Sequence, residues 1–151
     1  QPTWMAFLPA NTMLTPHPKE FDRLFGSPAR SGAERLERAS QQSAKWNAVV
    51  VLKGAFTAIC APDGRVFFNP TGGPGMAKGG SGDVLTGLLT GLLAQGCTSL
   101  EAAILGVYVH GLAGDMAAEH KGSDGMTAMD ITESIPEAWK YLRNASEEAV
   151  D

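Results

Sequence analysis

The fourteen residues from Asn69 to Gly82, NPTGGPGMAKGGSG, contain six glycines, and an apolar run, DVLTGLLTGLLAQG, follows at once. No other stretch restricts the chain so much. A freely rotating backbone feeds directly into a helix, which the apolar pattern starts near Ser81 or Gly82. The first amides of a helix have no partner inside it and point outward. They carry about half a positive charge from the aligned peptide dipoles. Glycines keep side chains away from those amides, so the junction reads as an anion cradle. Asp83 falls in the same first turn, and an anion held there would lie close to its carboxylate. Two familiar phosphate loops fail on their letters. A Walker loop needs Gly-Lys followed by Ser or Thr, but Lys78 stands between Ala77 and Gly79. A GxGxxG pattern from Gly80 would need glycine where the chain has Leu85.

Other roles are open to these residues. The glycines can serve a tight turn alone, and Asp83 can be a favourable charge at a helix N-terminus, worth ~0.3–1 kcal/mol. Lys78 can touch a phosphate or stand solvated in its loop. Gly87 and Gly91 share one side of the helix and are expected to permit close backbone packing.

The chain has 151 residues, one domain's worth and enough for a real core. Its net charge of -4, with 12 scattered Lys and Arg, argues against nucleic-acid binding. The apolar stretch Val84–Ala94 falls far short of the ~20 residues of a membrane helix, and no secretory leader is visible. A cytoplasmic location is expected. Cys60 and Cys97 form neither a disulfide framework nor a metal pair and read as buried free thiols in a reducing compartment. The chain opens on Gln1 in a stretch without start-of-domain character, and is read as a piece of something longer. Its polar end, residues 144–151, is expected to fray.

Along the chain, TMLT reads as a short strand and Pro18–Phe25 as a helix, with Pro18 at a first helical position. Ser31–Trp46 is a second helix. The β-branched run in NAVVVLKG is expected as a strand buried on both faces of a parallel sheet. FTAICAPDGRVFFN is a hairpin turning at Asp63-Gly64. After the glycine junction, residues 98–122 make a long helix with a Thr98/Glu101 capping box and a stop at Gly122. The last segment is expected as one or two short helices, with Pro136 in a first turn. Strands alternating with helices place the chain in the α/β class.

Four stretches, TPHPKEFDRLFG, VVLKGAFTAI, NPTGGPGMAKGGSGDVLTGLLTGLLAQG and GVYVHGLAGDMAAE, occur in the order found in the NAD(P)H-hydrate dehydratases, a branch of the ribokinase-like superfamily. The resemblance runs from about Leu14 to Ile135. It implies a ribokinase-like layered αβα sheet, of which this chain would be the C-terminal part only. The implied reaction is cofactor repair. Hydrated NADH or NADPH is phosphorylated on its ring hydroxyl at the expense of ADP or ATP, with Mg²⁺, and phosphate then leaves.

By the same resemblance, Asp83 is the catalytic base and also contacts the hydrated cofactor. Gly79, Gly80, Ser81 and Gly82 surround the transferred phosphoryl group. Lys53, Gly54, Ala55, Phe56 and Thr57 bind the nucleotide, although Lys53 at a strand end can also simply reach solvent. His17 matches a hydrated-cofactor position, or is a structural loop residue. Glu20, three residues on, resembles the Glu of the superfamily's Asn-x-x-Glu element, which orients Mg²⁺-bound water; His17 replaces the Asn. His110 and Asp115 lie in a family motif but receive no role. The resemblance further implies a homo-oligomer, often a tetramer in other members, and in many bacteria a fused epimerase domain, to which no stretch here is similar. A vitamin or sugar kinase of the same superfamily would use the same junction and keep its phosphorylated product. A catalytically incomplete fragment is the third alternative.

Overall fold

The computed structural model describes residues 3–148. Contacts divide the chain into two compact units. One takes the chain up to Asn69 together with Leu93–Ile104, and the other takes Pro70–Leu92 together with the chain from Leu105 onward.

In the first unit, strand β1 (Met13–Leu14) leads to helix α1 (Pro18–Phe25) and helix α2 (Gly32–Trp46). Proline at the first position of α1 needs no amide partner there. Ser31 caps α2 by accepting the Glu34 amide, and Asn47 ends it in the left-handed conformation at φ 48°. The run VVVL then forms strand β2 (Val49–Leu52), buried at all four positions. Strands β3 (Ala58–Cys60) and β4 (Val66–Phe68) complete a sheet of order β1-β2-β3-β4.

Here the expectation of a parallel sheet is corrected. β2 runs parallel to β1 but antiparallel to β3, and β3 antiparallel to β4. The short link Lys53–Thr57 explains this, since a parallel return needs a dozen or more residues. The hairpin turns as the sequence predicts, with Gly64 at φ 89° and its amide on the Ala61 carbonyl.

Met5, Phe21, Phe25, Ala39, Val50, Leu52 and Cys60 make the core of this unit. Phe21 and Phe25, one helical turn apart, place their ring centroids at 4.8 Å. Burying a phenyl ring fully contributes ~1.5–3 kcal/mol. Burial pushes the Cys60 thiol up to about 11, so it is inert. Cys97 is free but only partly buried, unlike the expectation.

In the second unit, helix α3 (Ser81–Ala94) buries Ser81, Leu85, Leu89 and Leu92 along one stripe. It packs on helix α4 (Ser99–Lys121) at Gly106, where a Cβ would meet the Leu89 side chain at 2.7 Å. Gly87 and Gly91 lie off that stripe, and a Cβ at either would meet nothing within 4 Å. They do not serve close packing, contrary to the sequence reading. The small-residue ladder Val109, Ala113, Ala117 on α4 packs with Met126, Ile131 and Ala138.

The Thr98/Glu101 capping box opens α4, and the Gly122 amide closes it on the Ala118 carbonyl. The last segment is a single helix, α5 (Ala128–Glu148), with Pro136 inside it rather than in a first turn. In the turns before the proline, Thr132 and Ser134 donate their hydroxyls to the Ala128 and Asp130 carbonyls. Helix α5 takes in the expected tail as far as Glu148; residues 149–151 lie outside the described residues. Among the described residues, no helix is long and apolar enough to cross a membrane.

Candidate functional site

Helix α3 begins at Ser81, directly after Gly80, which adopts φ 89°. That left-handed geometry suits glycine. A side chain would also be crowded, because a Cβ on Gly80 would sit 3.0 Å from the Ala128 Cβ. The Gly80 carbonyl accepts from both the Asp83 amide at 3.0 Å and the Val84 amide at 3.1 Å. The Ser81 amide reaches the Lys78 carbonyl at 3.4 Å. The amides of Gly79, Gly80 and Gly82 take no acceptor among the described residues. Asp83 is exposed, and its carboxylate makes no hydrogen bond or ion pair among them. The junction therefore combines three unengaged donors, a helix N-terminus and an unengaged carboxylate within five residues.

The loop before it is held by one face of α4. Thr71 donates its hydroxyl to the Tyr108 carbonyl at 2.9 Å, and the Gly72 amide donates to the Asp115 carboxylate at 2.9 Å. Gly111 and Gly114 let the loop lie against the helix. A Cβ on Gly111 would fall 2.2 Å from the Thr71 hydroxyl, and one on Gly114 2.3 Å from the Met76 sulfur. His110, buried, places Nε2 at 3.0 Å from the Ser81 carbonyl oxygen. A carbonyl only accepts, so Nε2 carries the hydrogen. Lys78 donates to the Asp124 carbonyl at 2.8 Å, which makes it a strut between two loops in this state.

His110 and Asp115 thus have positions that the sequence reading left without a role. A signal was present: two glycines three apart within one helix, flanked by polar side chains, mark a face another backbone approaches.

The other predicted residues gather in the first unit. His17 caps α1. Its Nδ1 accepts the Glu20 amide at 3.1 Å, while its own amide donates to the Glu20 carboxylate at 2.7 Å. This is a capping box, and the spacing that resembled a metal element does local work here. With Nδ1 accepting, the neutral ring carries its hydrogen on Nε2, 3.2 Å from the other Glu20 oxygen. The Lys53 amine lies 3.8 Å from Glu20, and its amide donates to the Pro16 carbonyl. The hydrogen bond from the His17 amide, with the Lys53 charge as a weaker contributor, holds the Glu20 carboxyl below its usual range. Gly54, Ala55 and Phe56 are exposed in the link after β2, and the Thr57 carbonyl accepts the Asn69 amide.

Among the described residues, no group of three or more His, Cys, Asp or Glu could hold a metal ion. Mg²⁺ commonly keeps its waters and binds through one or two carboxylates plus substrate phosphates. Glu20 is ionised and half exposed, and fits a contact through Mg²⁺-bound water.

A family profile described as NAD(P)H-hydrate dehydratase matches residues 5–137. The chain is 51% identical over 137 residues to the bifunctional NAD(P)H-hydrate repair enzyme of Moorella thermoacetica, covering 90% of this chain and 25% of that one. Its structure resembles the ADP/ATP-dependent NAD(P)H-hydrate dehydratase of Bacillus subtilis, crystallised with ATP and Mg²⁺, with TM-score 0.80 and 37% identity. That likeness covers 85% of this chain and 48% of the other. A ribokinase-like superfamily protein of Enterococcus faecalis gives TM-score 0.71 at 34% identity, over 85% of this chain and 44% of that one. The expected α/β ribokinase-like fold is borne out, and the chain spans from a quarter to just under half of the length of these proteins.

Proposed function

The chain belongs to the NAD(P)H-hydrate dehydratase family, and from that premise we propose that it is the C-terminal part of one dehydratase domain that repairs hydrated NADH or NADPH. The carrying observation is the α3 junction, where three unengaged glycine amides adjoin the unengaged carboxylate of Asp83.

Gly79, Gly80, Ser81 and Gly82 stabilise the phosphoryl group in transit from ADP or ATP. Preorganised backbone donors need no reorganisation as charge develops. The ring hydroxyl attacks the terminal phosphorus, the bond from that phosphorus to the nucleotide breaks, and the hydroxyl proton passes to Asp83. The hydroxyl proton becomes acidic only as the new bond forms, and a positioned carboxylate accepts it at that point. The ring nitrogen then pushes electrons into the ring, phosphate leaves with the carbon–oxygen bond pair, and a neighbouring ring proton is lost. Lys53, Gly54, Ala55, Phe56 and Thr57 take the nucleotide. His17 takes the hydrated nicotinamide. Glu20 would hold the water shell of Mg²⁺, which when bound would supply charge neutralisation on the phosphates.

The protein acts in the cytoplasm, as a homo-oligomer, in company with or fused to an epimerase domain. The test incubates hydrated dinucleotide with ADP, then ATP, and follows return of the dihydronicotinamide absorbance. Recovery supports the reading. A stable phosphorylated product instead identifies a small-molecule kinase. Turnover by the complete domain but not by this chain identifies an incomplete fragment.

A further inference from the structure

We propose that His110 is a positioning residue for Asp83. The reaction it serves is the dehydratase step above, and to that extent the inference rests on that reading. His110 is 8% exposed and Ser81 7%, so their contact is shielded from water. The Nε2–H donates to the Ser81 carbonyl at 3.0 Å. A first-turn carbonyl is already served by the helix's own ladder, so the imidazole is not needed to satisfy it. What the bond adds is a fixed distance between α4 and the first residue of α3.

Asp83 lies two residues beyond Ser81, and its amide hangs on the Gly80 carbonyl. The carboxylate is therefore carried by a turn clamped at Ser81 by His110. Upstream, the Tyr108 carbonyl and the Asp115 carboxylate hold Thr71 and Gly72 from the same helix. One face of α4 thus fixes the glycine loop at both ends. His110 touches neither a phosphate nor the substrate in this scheme; it acts through Ser81.

The test compares His110→Gln with His110→Leu in the protein carrying its complete domain. Both side chains fill the space, but only glutamine can donate. A misplacement near 1 Å costs on the order of 10²-fold in rate. The leucine variant is expected to lose kcat by at least about tenfold relative to glutamine, with nucleotide KM the same within about threefold. Equal kcat in the two variants overturns the proposal, as does a loss confined to KM.

A second readout does not depend on turnover. Amide exchange at Asp83 and Val84 is expected to be faster in the leucine variant than in the glutamine variant, and equal exchange overturns the proposal. If the parent protein fails to recover NAD(P)H from its hydrate, the dehydratase reading falls, and the exchange comparison still decides the role of His110.

Discussion

The carboxylate of Asp115 accepts the amide of Gly72 at 2.9 Å, so a charge on α4 fixes the first bend of the glycine loop. Gly72 sits there at φ 94°, and a Cβ on it would lie 3.2 Å from the Gly111 Cα. A hydrogen bond to a charged acceptor is worth ~1.5–3 kcal/mol, and the exposure of Asp115 reduces that. Asp115→Ala is expected to cost about 1 kcal/mol and to speed proteolysis between residues 72 and 80. Asp115→Asn keeps an acceptor and is expected to show less of both. Thermal melts and limited proteolysis check this.

Gly111 and Gly114 both accept the loop, but their alanine variants are expected to differ. At Gly111 the added carbon meets the Thr71 hydroxyl and also the Thr71 backbone, at 2.2 and 2.7 Å. Backbone cannot step aside cheaply, and overpacking of this kind costs ~1–3 kcal/mol. At Gly114 the obstacle is the Met76 side chain, which has rotatable bonds to spare. Gly111→Ala is therefore expected to lower the melting temperature more than Gly114→Ala. Equal effects would contradict the template described for α4.

Gly87→Ala and Gly91→Ala are expected to raise stability. Both positions are helical, exposed and open around the missing Cβ. Replacing glycine in a helix interior gains ~0.5–1 kcal/mol each. Denaturant midpoints of the single and double variants check this, and a loss of stability would mean that something packs on that face.

What the sequence made legible follows local chemistry. The α3 start, the Thr98/Glu101 box, the Asp63-Gly64 turn and the buried VVVL strand each rest on residues adjacent in the chain, and each is found. What escaped depends on partners far along it. The reversal of β2 into β3 turns on loop length, the continuity of α5 through Pro136 on tertiary support, and the open face at Gly87 on which stripe is buried. His110 and Asp115 carry the same lesson for the site. Their motif stood out, but their roles lie in bonds to residues 29 and 43 positions away. The capping box of His17 and Glu20 shows the converse, since one spacing is compatible with both a ligand element and a helix cap.

Asp22 and Arg35 form a bidentate pair with bonds of 3.1 and 2.9 Å, both side chains largely buried. The Arg35 hydrogen bonds hold the Asp22 carboxyl below its ordinary 3.8. A carboxyl depressed in the folded state stabilises it fully above the unfolded value, and that contribution fades as pH falls through the folded value. Asp22→Asn is therefore expected to cost about 2 kcal/mol at neutral pH. The gap between parent and variant should close as pH drops below 3.8. Melting curves across that range check the sign, and a gap that widened in acid would contradict it.

The most direct test of the account is the turnover of Asp83→Asn with hydrated NADH or NADPH and ADP, in the protein with its complete domain. Asparagine keeps the size of the side chain and removes its basicity. Loss of a positioned base costs ~10²–10⁴-fold. The account predicts a fall in kcat of that order with nucleotide binding retained. Turnover within about threefold of the parent would contradict the assignment of the base and, with it, the reading of the glycine junction.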